Sequence, residues 1–444
     1  MIRNDIPTAA SLGRQYLRGV SPVAVLEDLL DRQGRVNSEI NAITHVDADG
    51  ALQAARESAE RYRLGSPRGP LDGIPITVKE LLGVAGWPHA RGSRALQSAT
   101  ASLDSLVVRR LRDAGAVLWA QVTSSELGWK PLGDSPLHGA TLNPGWPTLT
   151  PGGSSCGSAA VIAAGLGPIS IGTDAAGSVR IPAAFCALFA LKPSRGTMDL
   201  PGSPFSLVAT AGPITRTLGD LDIALTPFAP AADPASPAAA PRVGYLIDLA
   251  APDHVDPSVT TAFEIFLSGI SSPSLRPEPV EVRPDGLRDA METIWSAALA
   301  TLAGTLPVDR EELEPGLVLM AERGIRISAD ALLRAQGRAG QLGVQLDDLF
   351  ESGYDILVSP TVATPPFAAG TTVPPGWPTS DWLDWIPFTY PFNLSGHPTI
   401  AIPVGVIGDV PQSVQLIGPR GGDRQLLQVA AHLTRMPATD LAAR

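Results

Sequence analysis

Two serines in glycine-rich turns, Ser154 in PGGSSCGS and Ser178 in GTDAAGSVR, are the residues of this chain best suited to chemistry. A glycine-rich turn lets backbone N–H groups approach a reacting atom closely. Such groups can hold an oxyanion, and a hydroxyl beside them can attack a carbonyl. What residues 151–193 lack is a base to take the serine proton. Lys79 offers one upstream, at the end of the apolar run 74–78 in PLDGIPITVKE. Burial disfavours the ammonium form, and a neutral lysine amine is a usable base.

These groups need a scaffold. An Ala-rich helix and a short apolar strand separate the two serine turns. Residues 73–78 and 116–120 read as buried strands, with a helix over 105–113 between them. Ser21-Pro22 is a helix start, and Val23, Val25, Leu26, Leu29 and Leu30 follow a helical period. A strand over 41–46 and a helix over 51–63 come next. Strands alternating with helices predict a mostly parallel sheet covered on both faces. Residues 226–241, TPFAPAADPASPAAAP, read as a linker, followed by a strand at 242–247 and helices at 287–302 and 328–349. There is no internal repeat.

Composition fits a globular enzyme. The 444 residues can bury a large core, and 44% hydrophobic against 17% charged residues argues against disorder. A formal charge of −11 disfavours nucleic acid or an anionic membrane as partner. Residues 1–17 contain no apolar signal core, and residues 157–172 are too short and too broken to span a bilayer. Two cysteines make no disulfide framework. The expectation is a cytoplasmic protein, monomeric or homodimeric.

Several pieces of the chain together resemble the amidase signature family of serine hydrolases. They are GIPITVKE, GGSSCGS, GTDAAGSVRIPAAFC and LKPSRG, with weaker matches in AGPITRTLGDLD, YDILVSPT, FNLSGHPTIAIPVG and QLIGPRGGD, all in the expected order. The resemblance implies one domain over 1–444 with a three-layer α/β/α fold and a large twisted mixed sheet. Its core signature would span 70–225, a variable pocket region about 242–390 and a returning core segment 391–435. It also implies a Ser–cisSer–Lys triad: Ser178 as nucleophile, Ser154 as the bridging serine with a cis peptide, and Lys79 as base. The N–H groups of Ala175, Ala176, Gly177 and Ser178 would form the oxyanion hole. Gly152 and Gly153 would ease the Ser154 backbone, and Asp174 and Arg180 would brace the nucleophile loop. No metal or organic cofactor is implied.

This chain departs from the family pattern at four places. Ala176 stands where a glycine is usual; alanine there is costly only if that position needs a positive φ. Cys156 replaces a glycine and reads as a small buried filler. Ala187 and Ala190 replace glycines in the FCALFALKP run, where a change of packing is expected.

Other chemistries find little support. The histidines 45, 89, 138, 254, 397 and 432 show no metal-ligand spacing, and no GxSxG elbow is present. Gly421-Gly422-Asp423 reads as a turn. For the substrate, the aromatic run 374–392 has two readings: a clamp on the sheet edge, or a pocket wall using Trp377, Trp382, Trp385 and Phe388. Leu127 and Trp129 are candidates for the opposite wall. The expected reaction is hydrolysis of an apolar or aryl carboxylic amide, in preference to small charged amides, with carbamate or ester cleavage as the alternative. An amidotransferase subunit releasing ammonia from glutamine and an inactive binding protein are the rivals from other classes.

Overall fold

A computed structural model describes residues 7–229, 241–249, 254–282 and 284–434. Most of the predicted linker, residues 230–240, lies outside the described residues. Eleven strands form one continuous sheet. From edge to edge they are Ile43–Val46, Val117–Val122, Pro75–Lys79, Ile169–Asp174, Thr210–Thr215, Phe189–Lys192, Thr399–Ile407, Val410–Ile417, Ile356–Pro360, Val243–Tyr245 and Glu278–Pro279. Strands from the N-terminal third and from the C-terminal return therefore share one surface.

The sheet is mixed and flanked by helices, and its parallel pairings fall in two blocks. One joins Pro75–Lys79 to Val117–Val122 and to Ile169–Asp174. The other joins Val243–Tyr245 to Ile356–Pro360 and to Glu278–Pro279. Strand–helix alternation produces such blocks, because parallel neighbours need a crossover. Between them the pairings are antiparallel, and Thr399–Ile407 and Val410–Ile417 form a direct hairpin.

Side chains alternate between two apolar layers, as a period of two requires. Ile76, Val78, Leu118, Ile169, Ile171 and Ile400 pack with helices Leu106–Asp113, Leu218–Leu225 and Asp423–Leu433. Val117, Trp119, Val122 and Ala401 pack with helices Ala48–Arg63 and Cys156–Ala163. A third cluster gathers around the long helices Leu287–Thr305 and Ala329–Glu351.

Local signals act as expected. Ser21 caps the helix Pro22–Ile40 by accepting from Val23 N at 3.2 Å, and Pro22 occupies its first turn. Ser105 and Ser328 cap the helices that follow them in the same way. No helix among the described residues is long and apolar enough to cross a membrane.

Candidate active site

Lys79 is the last residue of the strand Pro75–Lys79 and is fully buried. Its Nζ lies 2.7 Å from Ser154 Oγ, 2.9 Å from Thr173 Oγ1 and 3.0 Å from Ser155 Oγ. Among the described residues no carboxylate touches it. Burial pushes its pKa from 10.5 down to about 7, so an appreciable share of the amine is neutral near neutral pH. A neutral amine carries two N–H donors and one lone pair. Ser155 already donates its proton to the Thr173 carbonyl at 3.2 Å, so it can only accept from Lys79. Ser154 has no competing acceptor among the described residues, so its hydroxyl is free to donate to the lone pair.

Ser154 sits in the turn that leads into the helix Cys156–Ala163. The Gly153–Ser154 peptide is cis. Gly153 is required by space, and Gly152 by its left-handed φ of +72°. A Cβ on Gly153 would fall 2.1 Å from the Leu132 carbonyl oxygen, and one on Gly152 would fall 3.1 Å from Phe185, Ile181 and Pro182.

Ser178 sits in the turn between the strand Ile169–Asp174 and the helix Arg180–Phe185. With Ser154, Thr173 and Ala175 it lines a cavity of about 440 Å³. Among the described residues, no hydrogen bond joins the Ser154 and Ser178 hydroxyls. Such contacts commonly tighten only when substrate is bound.

The Ser178 turn is shaped by a buried ion pair. Asp174 and Arg180 are both fully buried, with Arg180 Nε and Nη2 each 3.0 Å from the carboxylate. Burial alone would raise the Asp174 pKa; the charge and hydrogen bonds of Arg180, with help from Asn393, hold it at about 2. The remaining guanidinium donors reach the Thr389 carbonyl, Gln415 Oε1 and Asn393 Oδ1. Every donor is satisfied, as a buried charge requires.

Asp174 also accepts from Gly177 N at 2.7 Å. This changes the expected oxyanion hole, because the Gly177 N–H is already committed. The N–H groups of Ala175, Ala176 and Ser178 meet no acceptor among the described residues and remain open. Gly177 carries the positive φ of +123°, and its missing side chain leaves room for the Thr389 hydroxyl, 2.5 Å from where a Cβ would stand. Thr389 Oγ1 donates to the Ala176 carbonyl at 2.6 Å. Ala176 itself has no positive φ, so alanine is accommodated there without strain.

The other departures divide. Cys156 is buried against Thr123, 3.6 Å away, and burial pushes its thiol pKa up; it is a filler. Ala187, by contrast, adopts φ +53°, the left-handed region, so losing glycine there costs more than the expected change of packing.

The aromatic run is placed otherwise than as a pocket wall. Trp377, Trp382, Trp385 and Phe388 do not line the cavity at Ser178, and neither does Trp129. Trp385 stacks on Phe185 at 6.0 Å and Trp382 meets Trp295 edge-on at 5.4 Å. Trp377 packs on His254, and Trp129 donates to Glu314. Trp385 thus packs against the helix that follows Ser178, Trp129 and Trp382 belong to the same apolar cluster, and Trp377 packs at its margin. Of the six expected residues only Leu127 lines the cavity, whose other walls include Leu81, Leu103, Val107, Phe205 and Trp295.

Glu80 carries no signal of its own in the sequence, although it ends the GIPITVKE motif. It is buried beside Lys79 and accepts from Gly92 N and Ser124 N, both at 2.9 Å, and meets His138 Nε2 at 3.1 Å. It thus ties two cavity-forming loops to the strand end. Sequence reasoning misses Thr389, Asn393 and Gln415 as well. The last two lie inside matched motifs, but nothing local shows what they hold.

A family model for amidases matches residues 24–427. An acylamidase of Rhodococcus erythropolis is 32% identical, covering 96% of this chain and 93% of that protein. A glutamyl-tRNA(Gln) amidotransferase subunit of Chloroflexus aurantiacus is 31% identical, covering 94% of this chain and 93% of that protein. Among solved structures, a bacterial aryl acylamidase shares the fold with a TM-score of 0.88 at 24% identity, covering 99% of each chain. A 6-aminohexanoate cyclic dimer hydrolase complexed with substrate aligns with a TM-score of 0.85 at 27% identity, covering 99% of this chain and 98% of that one. The order of motifs read in the sequence is thus matched along nearly the whole chain, which belongs to the amidase signature family.

Proposed function

We propose that this protein hydrolyses a carboxylic amide through an acyl-enzyme on Ser178. Neutral Lys79 accepts the Ser154 proton while Ser154 accepts that of Ser178. The Ser178 oxygen attacks the amide carbonyl. The tetrahedral oxyanion is met by the open N–H groups of Ala175, Ala176 and Ser178. As the C–N bond breaks, the proton returns through Ser154 to the leaving amine. Water then attacks the ester, gives its proton to the same relay, and releases the acid.

The observation that carries this reading is the Lys79 niche. A fully buried amine with a pKa lowered to about 7 touches three hydroxyls, and two of their residues, Ser154 and Thr173, line the same cavity as Ser178. The largely apolar walls suit an apolar or aryl body. The same chemistry would serve a carbamate or an ester.

A fluorophosphonate probe followed by peptide mass analysis tests the assignment. The adduct is expected on Ser178 and absent from Ser178→Ala. An adduct elsewhere, or substantial anilide turnover by Ser178→Ala, overturns it.

A further inference from the structure

The cavity holds one cationic group that the mechanism leaves unused. Arg91 lines its wall together with Ser178. The backbone there is fixed on both sides. The Arg91 carbonyl accepts from Leu127 N at 2.8 Å, and Gly92 N donates to Glu80. Leu127 leads into Gly128, where a Cβ would stand 3.3 Å from Ser154 Oγ, so this loop borders the catalytic hydroxyls. Arg91 adopts φ +54°, a left-handed conformation that a long side chain rarely takes. Sparsely populated backbone of this kind clusters at ligand sites.

The side chain has no partner among the described residues. Its Nε is shielded from solvent and unbonded, and the guanidinium makes no hydrogen bond and no ion pair there. Burial lowers its pKa, and no carboxylate acts to raise it. The two acids that line the cavity are engaged elsewhere. Asp104 accepts from Ala85 N and pairs with Arg112, while Asp199 accepts from Gly196 N. A guanidinium offers five donors in a fork that matches a carboxylate.

We propose that Arg91 receives a carboxylate of the substrate, so the preferred class is an amide with an apolar or aryl body and a terminal carboxylate. This rests on the amidase reading above. It also replaces the expectation that charged amides are disfavoured, which was based on the aromatic residues of 374–392, none of which lines this cavity.

Two arms test it. The first measures binding of 4-phenylbutyrate and 4-phenylbutanamide to Ser178→Ala protein by calorimetry. The carboxylate is expected to bind about 10- to 100-fold tighter than the amide, a preference lost in Ser178→Ala/Arg91→Met and partly kept with Arg91→Lys. The second compares kcat/KM for matched anilides with and without a carboxylate on the acyl or the amine side. At least one pair should favour the charged member about tenfold or more, chiefly through KM, and Arg91→Met should abolish the ratio. Overturning results are no carboxylate preference in protein that retains Arg91, or an equal preference after Arg91→Met. The wild-type preference decides the matter if Arg91→Met fails to fold. Carboxylate-selective binding without hydrolysis of any anilide would count against the amidase reading and leave Arg91 its role.

Discussion

Two lysines of this protein are fully buried, and burial pushes both to a pKa of about 7. They differ in what the amine touches. Lys79 reaches three hydroxyls. Lys192, at the end of the strand Phe189–Lys192, reaches the Pro193 carbonyl, 2.8 Å away, and no other partner among the described residues. A carbonyl has no proton to give, so a tuned base placed there has no task. The comparison teaches that a perturbed pKa marks a candidate, while the neighbouring proton donor makes it a base.

The largest expected effect separates the pair. Lys79→Met should lower kcat/KM by at least about a thousandfold, because members of a catalytic unit act together. Lys192→Met should leave it within about tenfold. Steady-state kinetics on one anilide decides this, and equal losses would erase the distinction.

A third buried cation extends the contrast. Arg180 pairs with Asp174, whose carboxylate also fixes the Ser178 turn. Arg180→Met would strand that carboxylate and should cost about 3–5 kcal/mol in urea unfolding. A cost below about 1 kcal/mol would mean that the pair is not needed to hold the turn.

The pH profile is a finer test. In the proposed mechanism Lys79 works deprotonated, and burial lowers its pKa to about 7. Below that value kcat/KM should rise about tenfold per pH unit, and above it the profile should level off. Lys192→Met should keep this profile. A bend that moved with Lys192 would assign it to the wrong lysine.

A smaller effect follows from Thr173→Val, which removes one of the three hydroxyls. That oxygen accepts a hydrogen bond from the charged amine, so its loss should move the bend to lower pH. The plateau should fall by about fivefold. An unmoved bend would show that Thr173 does not contact the titrating amine.

Much of this was legible in the sequence because the chemistry demands local signatures. Gly153 has no room for a Cβ, Gly152 adopts a left-handed φ, and Lys79 ends an apolar strand. Illegible were the long-range supports. Arg180 is met by Thr389, Asn393 and Gln415, 209, 213 and 235 positions away, and no local pattern announces such pairings. The tryptophans of residues 374–392 misled because a core clamp and a pocket wall use the same residues; only the fold decides which way the rings turn. Ala187 misled in the opposite sense, since a missing glycine reveals nothing until φ is known. Ala187→Gly should stabilise the protein by about 1 kcal/mol in thermal unfolding. No gain would mean that the left-handed backbone is already compensated.

The Thr389 hydroxyl that grips the Ala176 carbonyl has a consequence for how activity arises in time. Ser154 and Lys79 are synthesised early, yet the Ser178 turn is completed by side chains that emerge from the ribosome some two hundred residues later. A nascent chain ending before that segment holds all three reactive groups but no finished attack geometry. On the proposed mechanism, Ser178 therefore gains its attack geometry only once residues 389–415 have been made.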